Sequence, residues 1–287
     1  MYQIIQKTEL NSNTTRMVVS APRIAAKARP GQFIILRVDD EGERIPLTIA
    51  GTDPERGTVT IIFQKVGSTT EKLGSLQEGE SIRDFAGPLG EPTKLDGLKR
   101  VCIIGGGVGC AIALPLAKAL HDAGAEVTGI IGFRTKDLLI LEEEFSECCQ
   151  ELIVMTDDGS YGEKGNVTAP LKQMLEEGKT FDSVIAIGPL VMMKFVALTC
   201  KPFGVPCTVS MNPIMIDGTG MCGGCRLTLH RGEETLTKFA CVDGPDFNAY
   251  EVDFDEAMSR NRMYMEFERK AREDTCRLLR GNQEVER

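Results

Sequence analysis

A carboxylate stands at a position where a metal-binding cysteine is expected, near the carboxyl end of this chain. The segment IDGTGMCGGCR, residues 216–226, contains Cys222 and Cys225 with two residues between them. Cys241 follows after fifteen further residues. One class of [2Fe-2S] protein binds its cluster with the spacing C-x4-C-x2-C and a more distant fourth cysteine. The first position of that spacing holds Asp217. Either the pattern is a chance of composition, or a carboxylate has replaced a thiolate.

Two other interpretations of the same residues remain open. Zinc also binds C-x2-C pairs, but this chain has no second such pair, and His230 lies outside the usual zinc-finger spacing. Asp217 would alternatively be only a turn residue of IDGTG, which would leave the fourth ligand position without a candidate. A carboxylate ligand would keep four anionic donors while replacing a soft sulfur with a harder oxygen.

The remaining cysteines are expected to be reduced thiols without a chemical role. The chain has ten cysteines, and its amino end, MYQIIQKTEL, lacks the features of a secretory signal, which predicts a cytoplasmic protein rather than a disulfide framework. Cys102, Cys110 and Cys207 lie in apolar runs and are predicted to pack as small hydrophobic residues. Four more have no ligand spacing: Cys148, Cys149, Cys200 and Cys276.

The composition is that of an ordinary globular protein. Its 287 residues are enough for two domains, its hydrophobic content is 42%, and its formal net charge is −9 with an isoelectric point near 5.0. Nucleic acids and anionic membranes bind basic surfaces, so the acidic balance argues against both partners. No apolar run reaches the roughly eighteen residues that a membrane-spanning helix needs.

Two different secondary-structure patterns precede the cysteine segment. Residues 1 to about 97 contain short β segments separated by Gly and Pro, namely RMVVS, GQFIILRV, PLTIAG, GTVTIIFQKV and ESIRDFAG, which predict a small antiparallel barrel. From Val101 onward, continuous apolar strands alternate with helical stretches, which is typical of a doubly wound parallel sheet. The charged stretch after about residue 253 predicts a terminal helix.

The first strand of the second pattern leads into a glycine-rich turn. IIGGGVGCA places Gly105, Gly107 and Gly109 between a strand and a helix, where the backbone can approach a pyrophosphate closely. Cys110 occupies the third glycine position of the usual dinucleotide motif. Arg134 follows the second strand in GFRTKD, and an arginine there points to a 2′-phosphate and hence to NADP.

Together, DGTGMCGGC, RIPLTIAG, KVGSTTEKL, GPLG and the glycine-rich turn resemble the ferredoxin-NADP reductase superfamily over essentially the whole chain. More narrowly, the chain is similar to electron-transfer subunits of dihydroorotate dehydrogenase and to small subunits of NADH-dependent reduced ferredoxin:NADP+ oxidoreductase, also described as sulfide dehydrogenase subunits. The resemblance implies four parts: a FAD-binding β-barrel (1–97), an NAD(H)-binding α/β domain (98–211), a [2Fe-2S] segment (212–250) and a C-terminal helix (251–287).

The resemblance also implies which residues bind each cofactor. Thr48 would hydrogen-bond the flavin ring beside Pro46 and Leu47, and Arg44 would approach the FAD phosphates or ribityl chain. The phosphate turn would comprise Val66, Gly67, Ser68, Thr69 and Thr70. The nicotinamide nucleotide, NAD(H) despite Arg134, would contact Gly106, Gly107, Val108, Gly109, Arg134, Asp157, Gly188 and Pro189. The cluster ligands would be Asp217, Cys222, Cys225 and Cys241.

The implied function is electron transfer. Hydride would pass between NAD(H) and FAD, and single electrons would pass through the [2Fe-2S] cluster to a larger partner subunit with a second flavin and [4Fe-4S] clusters, in an electron-bifurcating complex. No side chain is expected to act as acid or base. The alternatives are a sulfide- or dihydroorotate-linked complex and a non-catalytic nucleotide-binding redox sensor.

Overall fold

The computed structural model describes residues 1–263 and 265–270. The first seven strands form one antiparallel sheet in the order β6-β1-β2-β5-β4-β3-β7, which curves as a half-barrel. Two short helices interrupt it, α1 (Pro22–Ala25) and α2 (Ser68–Ser75). The strands are β1 (Tyr2–Glu9), β2 (Thr14–Ser20), β3 (Phe33–Arg37), β4 (Arg44–Asp53), β5 (Thr58–Gln64), β6 (Ser81–Ile82) and β7 (Asp84–Leu89).

The second sheet has the order β11-β10-β9-β8-β12-β13-β16 and is parallel except for β16. Its strands are β8 (Arg100–Gly106), β9 (Glu126–Phe133), β10 (Glu151–Thr156), β11 (Glu163–Lys164), β12 (Ser183–Ile187), β13 (Cys207–Ser210) and β16 (Asp246–Asn248). The helices between them are α3 (Cys110–Asp122), α4 (Glu142–Cys148), α5 (Thr168–Glu176) and α6 (Leu190–Cys200). A separate hairpin, β14 (Arg226–Arg231) with β15 (Glu234–Phe239), precedes α7 (Ala240–Asp243), and α8 (Phe254–Arg262) follows β16.

The predicted fold class, a barrel followed by a doubly wound sheet and a carboxyl-terminal iron–sulfur segment, is confirmed. Five strands were not predicted: β1, β11, β14, β15 and β16. In β1 only Ile4 is fully buried, so its apolar pattern is weak, and β16 joins the parallel sheet as an antiparallel edge strand after the hairpin. The predicted last helix corresponds to α8 in part, and residues 271–287 lie outside the described residues. The four domain boundaries stay predictions.

Strand β3 joins the barrel to the rest of the molecule because both of its faces are buried. Ile34 and Leu36 point into the barrel core, as alternate residues of a strand must share one face. Phe33 and Ile35 point the other way, into a core that includes residues of the parallel sheet and Cys225. The three parts of the chain therefore share continuous packing. Within the described residues, no helix is long and apolar enough to cross a membrane.

Candidate functional site

Strand β8 ends in a cradle made of glycine backbone. After Gly106, residues 107–109 form a single 3₁₀ turn that leads directly into α3. A Cβ atom on Gly109 would lie 2.3 Å from the Ile187 carbonyl oxygen, so only glycine lets the start of α3 pack against the end of β12. Gly107 has φ +55° and open space where a side chain would be. The turn therefore presents bare backbone at the amino end of a helix, as a pyrophosphate site requires.

The structure brings together the two turns predicted to bind the nicotinamide nucleotide, the glycine-rich turn at Gly106 and the turn at Gly188 and Pro189. A Cβ on Gly188 would lie 3.1 Å from the Gly106 Cα, and a Cβ on Gly106 would lie 3.1 Å from the Pro189 ring. The same Gly106 position is covered by Met192, whose sulfur would be 2.4 Å away. Met192 reaches this position because α6 starts one residue after Pro189.

Packing explains why Cys110 can replace the third glycine of the dinucleotide motif. Cys110 is fully buried, and its sulfur would lie 2.8 Å from a Cβ on Gly105, on the core side of the turn. Burial raises the pKa of the Cys110 thiol, so it stays neutral. The third glycine is therefore replaced without a side chain entering the cradle.

Arg134 and Asp157 lie beside each other at the carboxyl edge of the parallel sheet. The Asp157 N–H donates to the Phe133 carbonyl at 3.0 Å, and the Asp158 N–H donates to the Arg134 carbonyl at 3.3 Å. Both Arg134 and Asp157 are exposed. Carboxyl ends of parallel strands are where α/β sheets bind nucleotides, so both residues stand on the expected edge.

In the barrel, Thr70 organises the turn at the amino end of α2. Its hydroxyl oxygen accepts hydrogen bonds from the Val66 and Gly67 N–H groups and donates to the Gly67 carbonyl, each at 3.0 Å. The first N–H groups of any helix lack partners within it and carry the positive end of the helix dipole. The turn therefore leads into a helix amino end, which is the kind of position where proteins bind anions.

The start of β4 lies next to that turn. The Thr69 hydroxyl donates to Glu43 at 3.5 Å, which places the exposed Arg44 beside the amino end of α2. Pro46, Leu47 and Thr48 follow on β4 as partly exposed residues, paired with β3. The two predicted flavin stretches are thus adjacent, although they are separated by about twenty residues of chain.

Asp217 is held by the backbone of its own loop. Its carboxylate accepts the Thr219 N–H and the Cys222 N–H, both at 2.8 Å. Hydrogen bonds from the Thr219 and Cys222 backbone hold the pKa of Asp217 below its usual range. The carboxylate is therefore ionised and adjacent to Cys222.

Cys225 and Cys241 form a second pair. Their sulfurs are 3.2 Å apart, and each residue is only 1% exposed. Burial, the neighbouring Cys225 thiol and the Asp217 carboxylate raise the pKa of Cys241 to about 12, against the lowering effect of the Gly220 N–H. Because a metal binds the thiolate, loading this pair must release protons.

The loop carrying these residues rests on the barrel. Gly218 has φ +73°, and a Cβ there would lie 2.7 Å from Leu89 and 2.9 Å from Ile35. Gly220 and Gly223 also have positive φ. The glycines of DGTGMCGG therefore allow the loop to turn back repeatedly against β3 and β7.

Of the four candidate ligands, Cys225 and Cys241 bring their sulfurs together, and Asp217 contacts the Cys222 backbone. In the described part of the chain, no three His, Cys, Asp or Glu side chains are close enough to hold a single metal ion. His230 lies elsewhere, 3.1 Å from Asp253. A two-iron cluster takes two protein ligands on each iron, so the Cys225 and Cys241 sulfur pair is compatible with one side of such a cluster.

Known proteins share this architecture and this segment. The model of the iron-sulfur cluster binding domain of dihydroorotate dehydrogenase B matches residues 212–253. A Thermotoga maritima protein described as a homolog of the dihydroorotate dehydrogenase B (NAD(+)) electron transfer subunit is 46% identical over 267 residues, covering 93% of each chain. The Geobacillus thermodenitrificans subunit of that name is 34% identical over 255 residues, 87% of this chain and 96% of that protein. This chain belongs to the dihydroorotate dehydrogenase B electron transfer subunit family.

A solved structure is similar to this member of the electron transfer subunit family over almost its full length. It comes from a study of flavin-based electron bifurcation in NADH-dependent reduced ferredoxin-NADP oxidoreductase, with 44% identity, a TM-score of 0.88, and coverage of 96% of this chain and 97% of that one. The predicted resemblance is confirmed, and so are the predicted cofactor classes, FAD, NAD(H) and an iron–sulfur cluster. As a member of the electron transfer subunit family, the chain is a subunit of an oxidoreductase with a partner subunit.

Proposed function

We propose that this chain exchanges hydride between NAD(H) and FAD and passes single electrons, through a [2Fe-2S] cluster, to a larger subunit of an electron-bifurcating ferredoxin:NADP+ oxidoreductase. The partner would carry a second flavin and [4Fe-4S] clusters. The observation that carries the proposal is the pairing of the Asp217 carboxylate with Cys222 beside the buried Cys225 and Cys241 pair, on a fold that matches a protein of that activity. FAD, when bound, links the two-electron chemistry of NAD(H) to one-electron carriers.

The barrel residues would hold the flavin. The N–H groups at the start of α2 and the nearby Arg44 offer positive charge for the diphosphate. Pro46, Leu47 and Thr48 offer a partly exposed strand for the ring system, with the Thr48 hydroxyl as a donor. These residues bind and orient, and none of them needs to move a proton.

Replacing Thr70 with valine is expected to weaken FAD binding roughly fivefold. The change keeps the side-chain shape but removes the oxygen that accepts two backbone N–H groups, and losing such a capping acceptor costs about 1 kcal/mol. FAD affinity measured by flavin fluorescence checks this. Ser75→Ala is the matched control, because Ser75 lies at the opposite end of α2 and donates only to the Lys72 carbonyl. Equal affinities in both variants would contradict a phosphate role for the turn.

The glycine cradle and the carboxyl edge of the parallel sheet would hold the nicotinamide nucleotide. Gly106, Gly107, Val108 and Gly109 lie with Gly188 and Pro189 at one end of the sheet. We propose NAD(H) rather than NADP(H), because Asp157 and Asp158 stand beside Arg134 and their carboxylates would repel a 2′-phosphate. Hydrogen bonds from the Ser160 hydroxyl and N–H lower the pKa of Asp158, which keeps that charge in place.

The cluster would take Asp217 and Cys222 on one iron and Cys225 and Cys241 on the other. Its rim is apolar and exposed: Ile214 is 39% exposed, Ile216 49%, Met221 88% and Val242 41%. Large exposed apolar side chains grouped around a site are typical of a protein interface. The partner subunit is therefore proposed to cover this rim, which would bring its own redox centre within electron-transfer reach of the buried thiolates.

The deciding experiment is anaerobic purification followed by flavin, iron and sulfide analysis and titration with NADH. The proposal predicts one FAD, a [2Fe-2S] spectrum and NADH-dependent bleaching. A colourless, flavin-free and iron-free protein would support the non-catalytic alternative and overturn the proposal.

The second candidate is a dihydroorotate-linked complex, favoured by the names of several relatives. Asp217 argues against it, because the resemblance places a fourth cysteine at this position in those subunits. Co-purification from the native cell distinguishes the two: a partner that reduces ferredoxin and NADP+ supports the proposal, whereas a partner that oxidises dihydroorotate contradicts it.

A further inference from the structure

One buried carboxylate oxygen has no partner. Asp246 is the first residue of β16, and its Oδ2 accepts a hydrogen bond from the Thr93 hydroxyl at 2.5 Å. Its Oδ1 atom is buried and lacks a hydrogen-bond partner within the described residues, although the residue as a whole keeps some exposed surface. A buried polar atom without a partner costs about 1 to 3 kcal/mol, and more when it is charged. Such an atom needs a functional or chemical reason.

Asp246 lies where three parts of the molecule meet. Thr93 belongs to the segment after the barrel, and its N–H donates to the Pro30 carbonyl at 3.0 Å. Ser210, the last residue of β13, pairs with Asp246 across the second sheet. Just before β16, the Gly244 carbonyl accepts the Glu91 N–H at 2.7 Å. The carboxyl group is therefore enclosed by the barrel, the parallel sheet and the segment that follows the cluster ligands.

The same junction lies between the proposed flavin strand and the proposed cluster. A Cβ on Gly31 would lie only 2.1 Å from the Thr93 hydroxyl oxygen. Two residues further along, Phe33 pairs with Thr48. On the side of the proposed cluster, Cys241 precedes Asp246 by five residues and packs in the same hydrophobic core as Phe33. A charge at Asp246 therefore sits in low-dielectric surroundings between two places where electrons are proposed to reside, and such surroundings screen charges poorly.

We propose that Asp246 is a redox-linked protonation site, whose carboxyl takes one proton from solvent when electrons enter the cofactor sites and returns it when they leave. This rests on the proposed function. In the protonation step, one O–H bond forms on the carboxyl group as one O–H bond of a solvent hydronium ion breaks; the electrons come from NADH, as hydride, and leave to the partner subunit. Added electrons make the interior more negative, so they favour the neutral acid over a second buried negative charge.

The surroundings of Asp246 supply no cation to hold it ionised. Burial raises the pKa of Asp246, and the Thr93 and Ser210 side chains lower it only in part. The charged side chains on the elements packed around it are exposed or paired elsewhere: Arg29, Glu91, Lys94 and Asp243, the last with Lys238.

The test uses the purified holoprotein and infrared difference spectra between its oxidised and NADH-reduced states. The expected result is a protonated-carboxyl band that appears on reduction and is absent in Asp246→Asn. Glu91→Gln is the matched control, since it removes an exposed acid from the adjoining loop and should keep the band. The same band in Asp246→Asn, or no carboxyl band in the native protein, would overturn the proposal.

A potentiometric titration across pH gives a second readout. Over the pH range in which Asp246 exchanges its proton, the equilibrium constant for reduction should fall more steeply with rising pH in the native protein than in Asp246→Asn. The extra fall is up to tenfold per pH unit, which is about 59 mV in midpoint potential for one electron. Thr93→Val removes the hydroxyl that stabilises the ionised form, so it should move that range to higher pH, and it remains informative if Asp246→Asn does not fold. Identical pH dependence in all three proteins would contradict the proposal. If NADH does not reduce the flavin at all, the proposed function fails instead.

Discussion

Cys241→Ser is expected to lose at least nine tenths of the bound iron and to abolish electron delivery to the partner subunit, while flavin reduction by NADH continues. Cys241 is almost fully buried, with its sulfur 3.2 Å from that of Cys225. A serine hydroxyl is a poor anionic ligand, and the burial of this position hinders water from replacing the lost sulfur. The flavin residues lie on the barrel and would not be changed. Iron and sulfide analysis, with stopped-flow reduction by NADH, measures both effects.

The matched control for this change is Cys149→Ser. Cys149 is a half-buried cysteine beside Gly129, and it belongs to neither proposed ligand pair. It should keep native iron content. A Cys241→Ser protein with the iron content of the native chain would remove Cys241 from the ligand set and with it the [2Fe-2S] interpretation of the segment.

Two substitutions of Asp217, ranked by the iron that each variant retains, should show whether Asp217 is a cluster ligand or only a turn residue. If Asp217 binds iron, Asp217→Cys restores four thiolates and keeps the cluster with an altered visible spectrum, whereas Asp217→Asn loses the anion and about a tenth or less of the native iron remains. If Asp217 only shapes the turn, the order reverses. Asparagine keeps one oxygen, which can accept one of the two N–H groups that Asp217 now accepts, from Thr219 and Cys222, whereas a cysteine sulfur accepts such bonds weakly.

Iron content and visible spectra of the two Asp217 variants, purified side by side, measure that order. Thr219→Ala is the control for general disturbance of the loop, because the Thr219 side chain is exposed while its backbone N–H is retained. Native iron content in this control and in Asp217→Cys, with loss in Asp217→Asn, is the expected pattern. Retention in Asp217→Asn together with loss in Asp217→Cys would show that the carboxylate is not a ligand.

Shared packing joins the proposed flavin strand to the proposed ligand loop. Strand β3 buries Ile34 in the barrel core and Phe33 in the core that contains Cys225 and Cys241. The ligand loop is anchored on the same strand, since Gly218 has no room for a side chain beside Ile35. This shared packing would hold the two proposed sites at a fixed separation, which would set the distance for the proposed one-electron transfer between them.

Local patterns predicted most of the architecture. Short strands with Gly and Pro between them, a glycine-rich turn between strand and helix, and the spacing of Asp217, Cys222 and Cys225 are all features of neighbouring residues. Each one reports backbone geometry over a few positions, so each could be recognised in the chain alone. The family and the cofactor classes followed from them, and both were confirmed.

Tertiary structure decided what depends on residues distant in sequence. The weakly patterned β1 forms a strand because β2 and β6 pair with it. The chain returns as β16 to pair with β13, which encloses the Asp246 carboxyl group under Thr93. No local pattern marks these partners, because the free energy of burying Asp246 or pairing β1 is set by surfaces that meet only when the barrel, the sheet and the ligand loop close on one another. The sequence alone determined which chemistry the chain carries; the fold determined how close together its parts stand and which charges are left without a partner.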